Sequence, residues 1–406
     1  MIIYMTTQGV GDAWVGNELR VISNAGVPFG LHALNRPRQT YFSSEDIAQM
    51  GKESQYIYPV SKARIIVDTA LAPFRFGGRF WAALWNALSG ERESARVRIV
   101  GLWHLGVACH WAAKLRKQDV SHIHSQWIHS GGTVAMFAAW LLNKSFSFTG
   151  HAADLFRERA ALKDKIKRAD FIVCISEFHR QFYIDNGADP QKLIICYCGI
   201  DTSHFSPVTQ TSKKDGILRI ISSGRLVEKK GFPVLVSACA ELKKRGVAFT
   251  CLIGGSGPDE ANLRARITAA DLDEEITLTG EALKQEEIPE FMESGDVYCL
   301  PCVWASDNDV DGLPQMLMEA MACGLPAVST QLVGIPDLVI NEETGLLVPP
   351  NDEVALADAL SRLASDPRLG AQLAKKGREH VTSTFDLPGS LDPLVNRFKN
   401  ALESKS

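Results

Sequence analysis

The sequence predicts an α/β protein of two doubly wound, parallel-sheet domains. Its 406 residues exceed the roughly 250 to 300 at which a single hydrophobic core stops growing, which indicates two domains of about 200 residues each. Short apolar, strand-like runs alternate with helical patterns along the chain, as is typical of parallel sheets covered by helices. The polar stretch SPVTQTSKKDG, residues 206–216, interrupts this alternation and predicts a linker between the domains.

The first half is expected to contain five strands, at Ile2–Met5, Gly30–Ala33, His122–His124, Ser145–Thr149 and Phe171–Ile175. The second half is expected to contain six short strands, in the segments LRIISSG, TCLIGG, ITLTG, VYCLP, AVST and GLLVPP. An amphipathic helix is predicted after Phe385. These boundaries give an N-terminal domain over 1–205, a C-terminal domain over 206–385, and a final helix over 386–406 that packs on the N-terminal domain.

Composition excludes several classes of protein. With 46% hydrophobic and 22% charged residues, the chain is typical of globular proteins. No basic region followed by an apolar core begins the sequence, and the longest apolar run is shorter than the ~20 residues that span a bilayer. The nine scattered cysteines indicate reduced thiols and a cytoplasmic location. Cys299 and Cys302 have redox or zinc spacing without a second pair, and we interpret them as structural.

The window 57–120 is unusually basic for a chain with a net charge of only −4. It holds ten Lys and Arg against four Asp and Glu, a local charge of +6 (10 − 4). The charges are interleaved with aromatic residues, namely Phe74, Phe76, Phe80, Trp81 and Trp85. Such a mixture is expected either at an anionic membrane surface or as solvated charges around ordinary core aromatics. Nucleic-acid binding is disfavoured because the basic excess is local and small.

In doubly wound domains, ligands bind beyond the carboxyl ends of the strands, and motifs are expected there. The first predicted strand is followed by Gly9 and Gly11, with Gly16 further on, where small residues let the backbone approach a phosphate or sugar. The same glycines could instead serve only the geometry of the turn. Ser176 and Glu177, after another strand, are expected to form a helix cap or a ligand contact.

Two strand ends of the second half carry basic and glycine-rich turns. In GRLVEKKG, Arg225 and Lys230 are placed to meet a diphosphate at the start of the next helix, whereas a solvated turn fits Lys229 better. The turn GGSGP, which includes Gly255, is a second place of close backbone approach.

The segment DGLPQMLMEAMACGLP places two carboxylates around a helix start. Pro314 is expected to be the first helical residue, with Asp311 before it and Glu319 inside it. The eight positions between the carboxylates correspond to about 12 Å of helix, roughly the span from ribose to sugar in a nucleotide diphosphate sugar. The amides of residues 313–315 (Leu313, Pro314, Gln315) would meet the diphosphate between them. Asp311 could instead be a helix cap, but an idle Glu319 among apolar residues would be costly to bury.

Histidines follow strands in the first half. His151 and Asp154 lie three positions apart after a strand, at the expected edge of the site. We interpret His122 as strand packing and His124 as a residue of the cleft, and we regard a metal site as the minor alternative because no third ligand has suitable spacing.

In their order, TGHAADLF, ADFIVCISE, CGIDTSHFSP, GRLVEKKGF, GGSGP, DGLPQMLMEAMACGLP and GIPDLVINEETGLLVPPND resemble the retaining glycosyltransferases of family 4 (glycosyl transferases group 1). The resemblance covers nearly the whole chain and is greatest to the branch of bacterial exopolysaccharide and colanic acid biosynthesis. It implies the GT-B fold, with two Rossmann-like doubly wound domains that face each other across a cleft. The N-terminal domain would bind the acceptor and the C-terminal domain the nucleotide-sugar donor.

The resemblance also implies roles for individual residues. Arg225 and Lys230 would bind the diphosphate in place of a metal ion, and Glu319 would hold the ribose. Asp311 would bind the transferred sugar. His151 and Asp154 would lie beside that sugar, and Gly11, Gly255 and residues 313–315 would contact the donor. The family usually has glutamate where this chain has Asp311, which could change donor choice or weaken catalysis.

The expected reaction is hexose transfer from a nucleotide diphosphate sugar, UDP or GDP, to a lipid-linked oligosaccharide or polysaccharide acceptor, with no cofactor and no metal. The protein would work in the cytoplasm or as a peripheral protein at the inner face of the cell membrane. Two alternatives remain: a sugar-nucleotide epimerase on the same architecture, and a non-catalytic sugar-nucleotide binding protein.

Overall fold

The computed structural model describes residues 1–11, 13–37, 44–157, 159–208 and 216–403. The chain divides into two compact units, the first formed by Met1–Tyr197 with Leu391–Ser406 and the second by Cys198–Ser390. The division therefore falls shortly before the predicted linker, of which residues 209–215 lie outside the described part. The final helix contributes its first turn to the second unit and its remainder to the first.

The first unit contains a seven-stranded parallel sheet in the order β3-β2-β1-β4-β5-β6-β7. Its strands are β1 (Ile2–Thr6), β2 (Phe29–Ala33), β3 (Gln55–Tyr56), β4 (His122–Ser125), β5 (Ser145–Thr149), β6 (Phe171–Cys174) and β7 (Leu193–Ile195). The five predicted strands are confirmed to within one residue at each end. The two edge strands β3 and β7 were not predicted, because two or three residues give no readable alternation.

Nine α-helices lie among the described residues of the first unit before its last helix. They are α1 (Ala13–Asn24), α2 (Glu45–Glu53), α3 (Lys62–Ala70), α4 (Ala72–Phe76), α5 (Gly78–Ser89), α6 (Ala95–Leu115), α7 (Ser130–Leu142), α8 (Leu162–Arg168) and α9 (Glu177–Asp185). Serine side chains cap several of them: Ser61 accepts from the amide of Arg64, and Ser94 from that of Val97. These bonds satisfy amides that have no partner within the first turn of a helix.

Helices cover both faces of this sheet. All five residues of β1 are buried, as expected of a central parallel strand rather than an edge. Helix α7 is buried on nearly every side, which explains why its sequence is apolar throughout rather than amphipathic.

The second unit contains a six-stranded parallel sheet in the order β10-β9-β8-β11-β12-β13, which confirms the six predicted strands. The strands are β8 (Leu218–Ser223), β9 (Phe249–Gly254), β10 (Ile276–Leu278), β11 (Val297–Leu300), β12 (Ala327–Thr330) and β13 (Leu346–Val348). The helices are α10 (Phe232–Lys244), α11 (Glu260–Ala269), α12 (Ile288–Glu293), α13 (Gln315–Ala322), α14 (Ile335–Leu338), α15 (Glu353–Ser365), α16 (Pro367–Thr384) and α17 (Leu387–Glu403), the last of which continues into the first unit.

Both sheets reverse their strand order next to their first strand. In the first unit β1 lies between β2 and β4, and in the second β8 lies between β9 and β11. At such a point the connections leave to opposite sides, so a crevice opens beyond the carboxyl ends of the two central strands. The residues that follow β1, β4, β8 and β11 are therefore the first candidates for a site.

Candidate active site

The loops after β8 and β9 pack backbone against backbone, which only glycine permits. Gly255 has φ +148°, and a Cβ built there would lie 2.0 Å from the carbonyl oxygen of Gly224. A Cβ on Gly257 would lie 2.4 Å from the carbonyl oxygen of Leu226. The glycines of GGSGP thus bring the two loops together, and Thr279 accepts from the amide of Gly255 at 3.1 Å to fix the turn.

These loops border a cavity of about 410 Å³ within the second unit, which we call the loop cavity. It is lined by Ser223, Gly224, Arg225, Gly254, Gly255, Ser256, Gly257, Pro258, Ala282, Leu283 and Met316. The predicted donor residues Arg225 and Gly255 therefore share one cavity. Its volume lies within the 300 to 1,000 Å³ usual for small-molecule sites.

Next in the chain, Lys229 and Lys230 form an ionic cluster with Asp311. Lys230 Nζ lies 2.5 Å from Asp311 Oδ2, and Lys229 Nζ lies 3.1 Å from Asp311 Oδ1 and 3.2 Å from Asp309 Oδ2. Desolvation alone would raise the pKa of Asp311, but the two lysines hold it below its usual value. Burial lowers the pKa of Lys230, and Asp311 outweighs that effect and raises it.

This cluster overturns two interpretations of the sequence, a solvated Lys229 and a helix-capping Asp311. Lys229 is not a solvated turn residue, since only 24% of its side chain is exposed and it pairs with two carboxylates. Arg225, not Lys229, is the exposed basic residue of this turn. Asp311 is not a helix cap, because its carboxylate contacts lysines rather than the amides of α13. Lys230 and Asp311 also bind each other directly, and their contacts to different parts of the donor stay a prediction.

Glu319 is buried inside α13, as the sequence predicts, with 3% of its surface exposed. Gln315 Nε2 donates to its Oε1 at 2.8 Å, and its Oε2 has no hydrogen-bond partner among the described residues. Burial raises the pKa of this carboxyl to about 7, an effect that the Gln315 bond only partly offsets. Met316, three positions earlier and so on the same face of the helix, lines the loop cavity.

The start of α13 differs from the prediction. Pro314 is the N-cap, with φ −69° and ψ 116°, and the helix begins at Gln315. A proline has no amide hydrogen, so Leu313 and Gln315 can donate to an anion there but Pro314 cannot.

In the first unit, Asp154 binds backbone amides. Its Oδ1 accepts from the amide of His151 at 2.9 Å and its Oδ2 from that of Ile128 at 3.0 Å. Burial raises the pKa of Asp154 to about 6 against the effect of these two bonds. The carboxylate therefore connects the segment after β5 to the segment after β4, and its contact to His151 is to the backbone.

The ring of His151 lies between two tryptophans. Its centroid is 4.5 Å from that of Trp14 and 4.7 Å from that of Trp127. Desolvation, followed by the neighbouring His179, lowers the pKa of His151 to about 3, so its ring is neutral at physiological pH.

His179 is a residue that sequence reasoning missed. Its Nε2 hydrogen-bonds the carbonyl oxygen of His151, and its Nδ1 lies 2.7 Å from Ser176 Oγ, which also caps α9. Ser176 is thus a helix cap, one of the two predicted roles. The sequence feature that could have identified His179 was its position three residues after a serine expected to cap a helix.

The glycine turn after β1 is compact. The Gly11 amide donates to the Gln8 carbonyl at 3.1 Å, and a Cβ on Gly11 would lie 3.0 Å from Pro37 Cβ. Gly9 has φ +64°. Turn geometry alone accounts for both glycines, and contact of Gly11 with the donor remains a prediction.

The expectation that His124 is a cleft residue is wrong. His124 and His122 are fully buried in β4 and bond the hydroxyl of Ser147 from two sides, at 2.8 and 2.6 Å. His122 is strand packing, as predicted. Among the described residues no group of three or more His, Cys, Asp or Glu side chains could hold a metal ion. All nine cysteines are free thiols, including Cys299 and Cys302.

The basic, aromatic window of the sequence exposes large hydrophobic side chains on four helices of the first unit, which we call together the apolar face. Ten of the fifteen exposed large hydrophobic side chains of the described residues belong to α3–α6 and the turns that join them: Ile66, Val67, Leu71, Phe74, Trp81, Trp85, Leu88, Ile99, Val100 and Trp103. Phe74 is 88% exposed and Trp85 71%. Phe76 and Phe80 are core residues instead, which confirms the expectation of core aromatics for these two, and contact of the window with a membrane stays a prediction.

Basic side chains border this face. A cavity of about 650 Å³ is lined by Arg64, Arg75, Lys114, Arg116 and Lys117, with the carboxylate of Asp68 and the ring of His110. Asp68 is only 1% exposed and binds Arg64, Arg75 and His110 at 2.6 to 2.9 Å, which fixes α3, α4 and α6 to one another. No helix within the described ranges is both long and apolar enough to cross a bilayer.

Comparison with known families defines the class of protein. The model described as Glycosyltransferase Family 4 matches residues 51–204, and the one described as Glycosyl transferases group 1 matches residues 208–380. The chain belongs to this glycosyltransferase family, and its two doubly wound units are those of the GT-B fold.

Two relatives cover most of the chain. WcaL of Escherichia coli K12, named as a colanic acid biosynthesis glycosyltransferase, is 34% identical over 315 residues, which is 77% of this chain and 73% of WcaL. AmsK of Erwinia amylovora, an amylovoran biosynthesis glycosyltransferase, is 32% identical over 312 residues, which is 77% of this chain and 72% of AmsK.

Solved structures share the fold across the whole chain. A glycosyltransferase from Rickettsia africae has a TM-score of 0.71 at 18% identity and covers 99% of this chain and 98% of its own. Anabaena HepE, solved in complex with UDP, has a TM-score of 0.72 at 15% identity and covers 98% of this chain and 99% of its own. At these identities the likeness concerns the fold.

Proposed function

We propose that the protein is a retaining glycosyltransferase that moves a hexose from a nucleotide diphosphate sugar to a lipid-linked oligosaccharide or polysaccharide acceptor in cell-surface or exopolysaccharide biosynthesis. The observation that carries the proposal is Glu319, a buried carboxylate on the face of α13 that borders the loop cavity, with one oxygen that has no partner in the part of the chain that the structure describes. Such a group is costly unless a ligand donates to it, and ribose hydroxyls are suitable donors. The names of WcaL and AmsK support the biosynthetic role.

The donor would bind with its base in the loop cavity and its diphosphate at the lysine cluster. The exposed guanidinium of Arg225 and the amides of Leu313 and Gln315 would hold the phosphates. Lys230 would move from Asp311 to the diphosphate, and Asp311 would then be free to accept from hydroxyls of the transferred sugar. UDP and GDP are the expected carriers; HepE is a UDP complex, and several mannosyltransferase relatives are named as GDP-mannose-dependent.

The electrostatics of the site support leaving-group stabilisation as the main source of catalysis. Lys229, Lys230 and Arg225 provide three cations where negative charge grows on the departing diphosphate, the role that a metal ion fills in other transferases. His151 has its pKa near 3 and Asp154 has both oxygens on backbone amides, so neither is placed as a strong base. Front-side attack by the acceptor hydroxyl, with the leaving phosphate taking its proton, requires no such base and retains the anomeric configuration.

The apolar face supports work at a membrane surface. Exposed tryptophan and phenylalanine beside arginine and lysine are typical of proteins that lie on an anionic bilayer. We propose that the apolar face brings the first unit to the inner face of the cell membrane, where a lipid-linked acceptor is located.

A transfer assay tests the reaction. Purified protein is incubated with labelled UDP-glucose, UDP-galactose or GDP-mannose and a bacterial lipid extract, with and without EDTA, and the anomeric proton of the product is read by NMR. We expect one donor to label a lipid with retained configuration, unaffected by EDTA and abolished in Glu319→Ala. The exposed Glu293→Ala is the matched control. Conversion of the donor without an acceptor would favour the epimerase, and an inverted or EDTA-sensitive product would contradict the proposed mechanism.

A further inference from the structure

We propose that a second cavity of the first unit, the arginine pocket, binds the phosphate or diphosphate group of an amphiphilic acceptor whose hydrocarbon chain lies on the apolar face. The pocket has a volume of about 380 Å³ and lies where α6 and α7 begin, beside the segment that precedes α8. This inference rests on the proposed function, since it names the chemical class of the acceptor.

The lining of the pocket is basic. Arg92, Arg96 and Arg159 line it, and none of its described lining residues is Asp or Glu. Lys165 is fully buried behind it and donates to the carbonyl oxygens of Ala160 and His129, both lining residues. A bound anion would therefore meet three guanidinium groups, which suit phosphate best.

Two carboxylates lie close by, but both already have donors. Asp164 accepts from Arg92 Nη1 at 2.5 Å and from Asn86 Nδ2 at 3.0 Å. Glu93 accepts from the amides of Ala161 and Leu162 at 2.7 and 2.9 Å. The three arginines that line the pocket thus face two carboxylates that already have donors, which leaves an excess of positive charge.

Arg92 is held in a fixed orientation. Only 1% of its side chain is exposed, and its two Nη atoms bond Asp164 and Asn86. Its Nε has no partner among the described residues. A Cβ built on Gly101, another lining residue, would find this Nε at 3.8 Å and no other atom within 4 Å, so the side of Gly101 that faces Arg92 is open. A buried, unpartnered donor beside open space is the arrangement of a ligand site rather than of packed core.

Two helices direct their first turns to the same cavity. Helix α6 begins at Ala95 and contributes Arg96 and Val97, and helix α7 begins at Ser130 and contributes Ser130 and Thr133. Amides of a first turn have no partner within the helix, and the helix dipole favours an anion there. Two long helices therefore add to the attraction of the arginines.

The ring of Trp127 lies between the lining residue His129 and the ring of His151. His129 lines the pocket, its ring is stacked on Trp127 with centroids 6.0 Å apart, and Trp127 contacts His151 at 4.7 Å. The backbone makes the same connection, because Ile128 donates to Asp154 and accepts from Lys165. An acceptor anchored in the pocket by its phosphate could therefore present a nearby hydroxyl beside His151.

The pocket is also continuous with the apolar face. Val100, which is 39% exposed, belongs to both, and Ile99 and Trp103 extend the face along the same helix. An anionic pocket ligand with an adjoining hydrocarbon chain fits both surfaces at once. A neutral polysaccharide would use neither the arginines nor the apolar side chains.

Hydrogen–deuterium exchange with geranyl diphosphate, inorganic pyrophosphate and geraniol as probes tests the inference, because it locates binding on the chain and separates this pocket from the donor site. We expect geranyl diphosphate to protect the first turns of α6 and α7 and to bind at least tenfold more tightly than pyrophosphate, with geraniol inactive. Arg96→Ala should weaken this binding by roughly tenfold, the loss expected for one charge-assisted contact. Arg79→Ala, an exposed arginine of α5 that does not line the pocket, should not weaken it.

Gly101→Leu is the second variant and removes no charge. Its side chain would fill the open space beside Arg92, and leucine favours a helix interior more than glycine does, so the variant should fold at least as well and bind geranyl diphosphate weakly. Equal binding in the Arg96 variant, equal loss in the Arg79 variant, or no protection of α6 and α7 would overturn the inference. If pyrophosphate bound as tightly as geranyl diphosphate, the pocket would be a site for a free anion, which would overturn the proposal of an amphiphilic ligand.

Donor binding by the second unit is measured separately and should be unchanged in Arg96→Ala. Absence of donor binding in the wild type would count against the proposed function alone.

Discussion

At the scale of the residue, the candidate site contains buried carboxylates, and the free-energy cost of burying each one depends on the hydrogen bonds that it accepts. Glu319 and Asp154 are both buried, but Asp154 accepts two backbone amides whereas one oxygen of Glu319 accepts nothing from the described residues. A carboxylate with satisfied oxygens holds structure together, and one with an unsatisfied oxygen is available to a ligand. The two residues therefore respond differently to substitution.

Glu319→Gln should stabilise the protein in the absence of ligand. The pKa of Glu319 is raised from 4.5 to about 7, so the folded state loses stability as pH rises from 4.5 to 7 and the full cost, up to about 3 kcal/mol, is present above pH 7. The variant should lack this cost while binding the nucleotide more weakly. Thermal unfolding of both proteins between pH 4 and 8 measures this difference in stability, with the exposed Glu293→Gln as control. Equal pH profiles for wild type and variant would contradict this account.

Asp154→Asn should destabilise the first unit without affecting donor binding. An amide group offers one oxygen to two backbone donors, so either His151 or Ile128 loses its bond, at a cost of about 1 to 3 kcal/mol. Calorimetric unfolding and nucleotide titration give the two readouts. Unchanged unfolding together with lost turnover would instead place the Asp154 carboxylate in direct contact with a substrate.

At the scale of the element, tight turns shape the loop cavity, where we propose that the donor binds. The loop after β9 lies against the loop after β8 only because Gly255 has no side chain, and a Cβ there would lie 2.0 Å from Gly224 O. The backbone could relieve this clash only if β8 or β9 moved. The glycine turn is thus a condition for the loop cavity to exist, whether or not it contacts a ligand.

Gly255→Ala should therefore abolish nucleotide binding and lower stability by more than the ~1 kcal/mol of an ordinary glycine substitution. Gly246→Ala is the matched control, because Gly246 also has a positive φ, +71°, but no atom within 4 Å of its Cβ position. Thermal unfolding and nucleotide titration compare the two. Equal effects of both substitutions would show that backbone strain, not the contact between the loops, decides the outcome.

The elements show how far sequence reasoning extends. Long alternations of apolar runs and helical patterns predicted eleven of the thirteen strands, because buried parallel strands are continuously apolar. The burial of Glu319 was predictable from its apolar neighbours. The Lys229–Lys230–Asp311 cluster was not, because its lysines and its carboxylate lie far apart in the chain and only the tertiary fold brings them together. The burial of His124 was missed for the same reason.

At the scale of the whole molecule, the residues proposed to bind the donor lie in the second unit, and the apolar face and the arginine pocket lie in the first. Substitutions on the apolar face should therefore affect membrane binding and leave nucleotide binding unchanged.

Replacing Phe74 and Trp85 by serine should release the protein from anionic vesicles. The two side chains are 88% and 71% exposed, so their removal costs little stability, whereas each buries apolar area in a bilayer. Flotation with phosphatidylglycerol vesicles at low and high salt measures the effect, and the variant should bind several-fold more weakly than wild type. Trp304→Ser, at a 41% exposed position of the second unit, is the control. Equal flotation of wild type and double variant would exclude the apolar face as the docking surface.

Donor binding is the central claim, and calorimetric titration with UDP, GDP, ADP and dTDP, in the presence and absence of EDTA, tests it most directly. We expect one of the four to bind independently of EDTA, to stabilise the protein by about 2.7 kcal/mol at a hundred times its dissociation constant, and to lose most of its affinity in Arg225→Ala and Glu319→Ala. Lys244→Ala, a 74% exposed lysine of the second unit, should bind as wild type does. Failure of all four nucleotides to bind would contradict the sugar-nucleotide site.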